Sequence, residues 1–108
     1  MKEKPRIEYI SQQQLRRLFN EQGLWERALR GELRQAVVRQ RPAASTLPFP
    51  DGTQTMIVDY YDDIGVRLAR VHQYMLPDGS IGGSGRPDPK LVLLDGISYR
   101  VRLDQPQV

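Results

Sequence analysis

The sequence predicts an α+β protein in which an N-terminal helical part packs on a roughly four-stranded antiparallel meander. The acidic residues separate by type, since every Glu lies at or before position 32 and every Asp lies at or after position 51. Glutamate favours helices, whereas aspartate favours caps and turns. Alternating apolar residues and hairpin signals then fill the C-terminal half. We therefore expect a single domain over 1–108, with helices in 1–40, a linker over 41–53 and the sheet over 54–104.

The first helix has a clear start. Ser11 suits the N-cap position, and Gln14 three residues later suits the partner position of a capping box. Ile10 and Leu15 occupy the two positions of a hydrophobic staple. Gly23 can end the helix in a left-handed cap.

A second helix is expected from about Leu24 to Arg39, because apolar residues recur there at helical spacing. Gly31 lies inside this range and would cost about 1 kcal/mol relative to alanine. One long, kinked helix over 12–40 is the alternative. Four arginines would then share the side away from the apolar stripe, as a solvated face or as a basic surface for phosphates or an acidic partner. They are Arg27, Arg30, Arg34 and Arg41.

The linker over 41–53 contains three prolines, and Phe49 between two of them could pin it to the core. Beyond it, β-branched and aromatic residues predict strands, joined by a short turn at Asp62-Asp63 and a second hairpin turn at Asp95-Gly96. Asp59 with the Asp62-Asp63 pair matches no calcium-loop spacing, so turn chemistry explains these aspartates better than a metal does.

A long loop over 77–90 separates the second and third of these strands. It contains "GGSGRPDPK", whose glycines allow backbone amides to point at an anion. Lys90 is followed by Leu91 and a strand, so the segment is not a Walker loop. Loops of this length in a compact domain are often functional or mobile.

The strand before this loop carries Arg70, His72 and Tyr74 at alternating positions, which places them on one face of the sheet. Either that face changes from buried to open along the strand, or a bulge near Ala69 resets the register. The candidate ligand-binding residues are Arg70, His72, Tyr74, Arg86, Asp88 and Lys90. No catalytic residue is assigned, although His72, the one histidine, is a candidate for proton transfer near neutral pH.

Composition narrows the class of protein. The chain has no cysteine, which excludes disulfides, thiolate metal sites and a cysteine nucleophile. No run approaches the ~18 apolar residues of a membrane span, and no apolar segment follows the charged N-terminus, so we expect a cytoplasmic protein. Residues 1–41 contain ten Lys or Arg and five Glu, whereas residues 42–108 contain six Lys or Arg and eight Asp, so the positive charge lies in the N-terminal part. No cofactor and no metal are expected.

Three functions fit these features. The first is a non-enzymatic binding or interaction module whose sheet face and 77–90 loop engage an anionic ligand, a nucleic acid or a protein partner. The alternative is a small metal-independent ribonuclease-like enzyme with His72 as general acid or base, which it resembles in residue types only. The third is self-association through an edge strand such as 97–103.

Overall fold

A computed structural model describes residues 4–102 of the chain. Its elements are β1 (Arg6–Tyr9), α1 (Gln12–Glu21), α2 (Leu24–Leu29), β2 (Arg34–Pro42), β3 (Gln54–Tyr61), β4 (Arg67–Met75), β5 (Asp88–Leu94) and β6 (Ile97–Arg100). The strands form one six-stranded sheet in the order β1-β6-β5-β4-β3-β2. The α+β class is confirmed, but the sheet is mixed and larger than the predicted meander of four strands.

The four expected strands are β3 to β6, and they pair as consecutive antiparallel neighbours. At the β3–β4 turn, the Asp62 carboxylate accepts hydrogen bonds from the amides of Ile64 and Val66. At the β5–β6 turn, Asp95 and Gly96 have φ of 51° and 77°. Two successive positive φ values characterise the tight hairpin turn that Asp-Gly favours.

The prediction of a helix over 24–39 is wrong beyond Leu29. Gly31 adopts φ 78°, a left-handed conformation that ends a helix rather than continuing one. The chain then forms β2, in which the adjacent β-branched residues Val37 and Val38 fit a strand better than a helix. The predicted basic helix face therefore does not form, because Arg34 and Arg41 belong to β2. The helical part consists of two helices joined at Gly23, whose φ is 60°.

The second correction concerns the sheet edge. β1, which was not predicted, pairs in parallel with β6, from Arg6 opposite Ile97 to Tyr9 opposite Arg100. The strand expected to be an open edge over 97–103 is therefore an interior strand over Ile97–Arg100, and the edges are β1 and β2. The predicted continuation beyond residue 102 lies outside the described residues.

One face of the sheet is covered by the two helices. The capping box at Ser11 forms, with the Gln14 amide donating to Ser11 Oγ at 3.1 Å and the Ser11 amide donating to Gln14 Oε1 at 3.0 Å. It directs Leu15 and Phe19 into a core shared with Val58, Val71 and Val92, all of them almost fully buried. Burying each such side chain stabilises the fold by about 1.5–3 kcal/mol.

The strand register separates the two faces of the sheet. Met56, Val58 and Tyr60 of β3 and Ala69 and Val71 of β4 point into the helix-covered core. The residues between them lie on the opposite side, which we call the open face. Of the two alternatives for this strand, the structure has the bulge: it lies at Leu68, since Tyr60 pairs with Ala69 but Tyr61 pairs with Arg67. Neither helix in the described part of the chain is long and apolar enough to cross a membrane.

Candidate functional site

The open face concentrates arginine. In β2, Arg34, Arg39 and Arg41 pair with Tyr61, Ile57 and Thr55 of β3, all open-face positions. Arg67 and Arg70 of β4 and Arg100 of β6 share that side of the sheet. Within the described strands one carboxylate, Asp59, lies among these six arginines. Asp88 of β5 is directed instead towards α1, where Arg16 Nε donates to its Oδ1 at 2.7 Å.

Asp59 is a buried anchor for two of the arginines. Its side chain is almost fully covered, and it accepts two hydrogen bonds from Arg70, from Nε at 2.7 Å and from Nη2 at 3.0 Å. Arg67 Nη1 lies 3.5 Å from Asp59 Oδ2. Burial raises the pKa of Asp59, but its hydrogen bonds and attraction to Arg70 and Arg67 outweigh burial and hold that pKa below its usual value. The ion pair between Asp59 and Arg70 fixes the Arg70 side chain against the sheet.

The β2 arginines are less constrained. Arg39 and Arg41 are exposed and form no ion pair with any of residues 4–102. The Arg34 guanidinium lies over the Tyr61 ring, 4.6 Å from its centroid. Three positive charges along one edge of the open face are therefore available to an anionic partner.

Aromatic rings continue this face from β3 towards the loop that follows β4. His72 meets Tyr74 edge-on at 4.8 Å, and Phe49 of the linker packs against Tyr74 at 4.7 Å. A hydrogen bond of 2.6 Å joins His72 Nε2 and Thr55 Oγ1. Burial and the Lys90 charge lower the pKa of His72, against a smaller opposing effect of Asp88. The ring is therefore neutral at pH 7.

A pocket of about 860 Å³ lies where β4 and β5 diverge, beyond the last pair, His72 and Asp88. Its walls come from α1 (Arg16, Phe19 and Asn20), the end of β4 (His72, Gln73 and Tyr74), the loop (Gly82, Gly83, Ser84, Arg86 and Pro87) and the start of β5 (Asp88, Pro89 and Lys90). The predicted loop over 77–90 is shorter than expected, because 88–90 already belong to β5. Residues from both faces line the pocket, so it lies at the margin of the sheet.

Charges in the pocket wall are largely paired. Asp88 accepts from Arg16 at 2.7 Å and from Lys90 at 3.2 Å, and Arg86 Nη2 donates to Glu26 at 3.0 Å. Burial raises the pKa of Asp88, but the hydrogen bonds and charges of Arg16 and Lys90 outweigh burial and hold that pKa below its usual value. Asp88 therefore stays ionised at neutral pH. The pocket therefore has a small positive excess, while the open face has a large one.

The structure brings five of the six candidate residues to this pocket: His72, Tyr74, Arg86, Asp88 and Lys90. Arg70 shares the open face with His72 and Tyr74 but is not in the pocket wall, and it pairs with Asp59. Sequence reasoning missed Gln73 and the three α1 residues of the wall. Only α1 packing against β5 brings that helix to the loop, and no local pattern reports such a contact.

Comparisons of this chain with protein-family models, curated proteins and solved structures found no match.

Proposed function

We propose that this protein is a non-enzymatic binding module for single-stranded nucleic acid, which lies across the open face. The observation that carries the proposal is the excess of six arginines over one carboxylate on the side of the sheet that neither helix covers. Lys and Arg side chains that neutralise phosphates supply most of the affinity of proteins for nucleic acids. A surface of this charge attracts a polyanion more strongly than a neutral partner.

Rings among the arginines favour a single strand over a duplex. Tyr61 lies between Arg34 of β2 and Arg67 of β4, and His72 and Tyr74 lie in the same cross-strand rows as Arg39 and Arg41. Unpaired bases stack on such rings, whereas the bases of a duplex are already stacked and their faces are not free. The open face thus offers both contacts that a sequence-tolerant single-strand site needs.

The dimensions also suit a short single strand. Arg34 and Arg41 lie near the two ends of β2. At a rise of about 3.3 Å per residue, they are separated by roughly 23 Å. Binding sites on comparable sheet surfaces cover about 4–16 nucleotides. Arg100 on β6 extends the positive face across the sheet to the far side.

The test is fluorescence anisotropy of a labelled oligonucleotide of about 12 nucleotides, titrated at salt concentrations from about 50 to 200 mM. We expect affinity to fall as salt rises. Arg39→Gln and Arg41→Gln should each weaken binding and reduce the log–log salt slope by about 0.7. Arg17→Gln, an equal charge change on the exposed side of α1, is the matched control. Affinity that ignores salt, or an equal loss with Arg17→Gln, would overturn the proposal.

The ribonuclease-like alternative rests on His72, which lines the pocket and is held by Thr55. Binding without chemistry predicts that RNA incubated with the protein stays intact. If the wild type cleaves RNA, and His72→Ala abolishes cleavage without changing the melting temperature, the enzyme hypothesis is supported and the binding-module hypothesis is wrong.

Self-association remains a second candidate, now at β2 rather than at 97–103. Val37 and Val38 of this edge strand are 54% and 51% exposed. Apolar residues on an unpaired edge favour strand-to-strand association, whereas the neighbouring arginines oppose it by repulsion. Light scattering separates the two cases: a dimer that Val38→Lys dissociates supports association through β2, and a monomer excludes it.

A further inference from the structure

Gln73 is a polar side chain without a partner in the pocket wall. It is 8% exposed, it lines the pocket, and its Oε1 is buried without a hydrogen-bond partner among residues 4–102. Leaving such an atom unpaired destabilises the folded protein. A buried acceptor of this kind needs an explanation, and a bound ligand that donates a hydrogen bond provides one.

The position of Gln73 is unusual for the strand that carries it. Ala69 and Val71, the preceding residues on the same side of β4, are apolar and fully buried in the core. The helix-covered face therefore changes from apolar to polar where the pocket begins. A leucine or methionine at position 73 would continue the core without an unpaired atom, so the glutamine is not required for packing.

The other walls fit the remaining parts of a nucleotide. The Tyr74 ring offers apolar contact for a planar base. The three cations of the wall, Arg16, Arg86 and Lys90, outnumber its one carboxylate, Asp88, and leave positive charge for a phosphate. A glutamine amide matches the adenine edge bidentately, since Oε1 accepts from the N6 amino group while Nε2 donates to N7. The volume of about 860 Å³ lies within the range of small-ligand pockets.

We propose that this pocket binds a single adenine nucleotide, with the Gln73 amide reading the base edge and Lys90 and Arg16 facing the phosphate. The inference rests on the proposed function and deepens it. His72 and Tyr74 belong both to the open face and to the pocket wall, so one nucleotide of a strand lying on the open face reaches the pocket directly. The pocket would add base preference to binding that is otherwise tolerant of sequence.

Calorimetric titration with AMP, GMP, CMP and UMP tests the base reader. We expect AMP to bind about tenfold more tightly than UMP, in line with one bidentate base contact. Gln73→Met should remove this preference and lower AMP affinity about tenfold, while the melting temperature stays equal or rises because an unpaired polar group is lost. Gln54→Met, the same change at a residue outside the pocket wall, is the control.

A second variant tests the phosphate contact without touching Gln73. Lys90→Gln should weaken AMP binding several-fold and leave adenosine binding unchanged, because adenosine has no phosphate. Failure of all four nucleotides to bind, or AMP binding that neither variant changes, would overturn the pocket assignment. If an oligonucleotide still binds in that case, with an affinity that falls as salt rises, the open-face proposal is unaffected. AMP binding with no effect of Arg39→Gln on oligonucleotides would instead contradict the open-face proposal.

Discussion

The two faces of the sheet differ more sharply than any two segments of the chain. The helix-covered face is a continuous apolar core that excludes water, formed by residues such as Leu15, Val58 and Val71. The open face has six arginines, interleaved rings and one buried carboxylate. The first face holds the fold together, and the second remains available for a partner.

β4 shows this division within one strand. Ala69 and Val71 face the helices, while Arg70 and His72 alternate with them on the other side. Gln73 is the exception, because it points to the helix side but lies where the helix layer ends and the pocket begins. A polar residue at that point marks the boundary between the part of the sheet that stabilises the fold and the part that we propose binds a ligand.

The largest effect is expected in the core. Leu15→Ala removes a side chain that is 0% exposed, and the cavity should lower the free energy of unfolding by about 2–5 kcal/mol. Val37→Ala, on exposed β2, should change it by about 0.5 kcal/mol or less. Urea denaturation measures both, and similar losses for the two variants would contradict the division between a stabilising core and a solvent-facing edge.

A smaller effect is expected at the anchor of the open face. Asp59→Asn leaves Arg70 and Arg67 without their shared carboxylate. We expect the free energy of unfolding to fall by about 1–2 kcal/mol, since the arginines are partly exposed and solvent screens them. Asp51→Asn in the linker is the control, because Asp51 is exposed. Equal stability of Asp59→Asn and wild type in urea would show that Asp59 anchors neither arginine.

The smallest effect concerns the neutral ring of His72. Its pKa in the folded protein lies below the ordinary value of 6.5, so the unfolded chain binds the proton more readily. The stability that depends on neutral His72 is fully present above the ordinary pKa of 6.5, which applies to the unfolded chain. It is lost as the pH falls from there through the lower pKa of the folded protein. The wild type should therefore lose more stability than His72→Gln between about pH 7 and pH 5. Parallel stability curves for the two proteins would remove this role.

Part of the fold could be predicted because its signals are local. The capping box at Ser11 and the turns at Asp62 and Asp95 depend on neighbours a few residues away, and all three form. β2 could not be predicted as a strand, because residues 24–39 have apolar side chains at helical spacing. Gly31 and the adjacent Val37 and Val38 are the residues within that range that disfavour a helix. β1 has four residues, and it is a strand only because β6 is beside it.

The candidate site was predictable to a similar degree. Alternation along β4 placed His72 and Tyr74 together, and the glycine-rich loop pointed to its neighbourhood. The arginines of the open face could not be recognised, since three of them belong to the strand that was mistaken for a helix. The contribution of α1 to the pocket depends on contacts such as that between Gln12 and the Pro89 carbonyl, 77 residues apart.

The most direct test of the account is to map nucleic-acid contacts on the labelled protein by NMR. Amide and arginine side-chain signals are followed while an unlabelled single-stranded RNA is added. We expect the largest shifts at β2, β3 and β4 on the open face, including Arg39 and Arg41, and at the pocket residues that border it. Shifts confined to the exposed sides of α1 and α2, or no shifts at low salt, would contradict the claim that the open face binds nucleic acid.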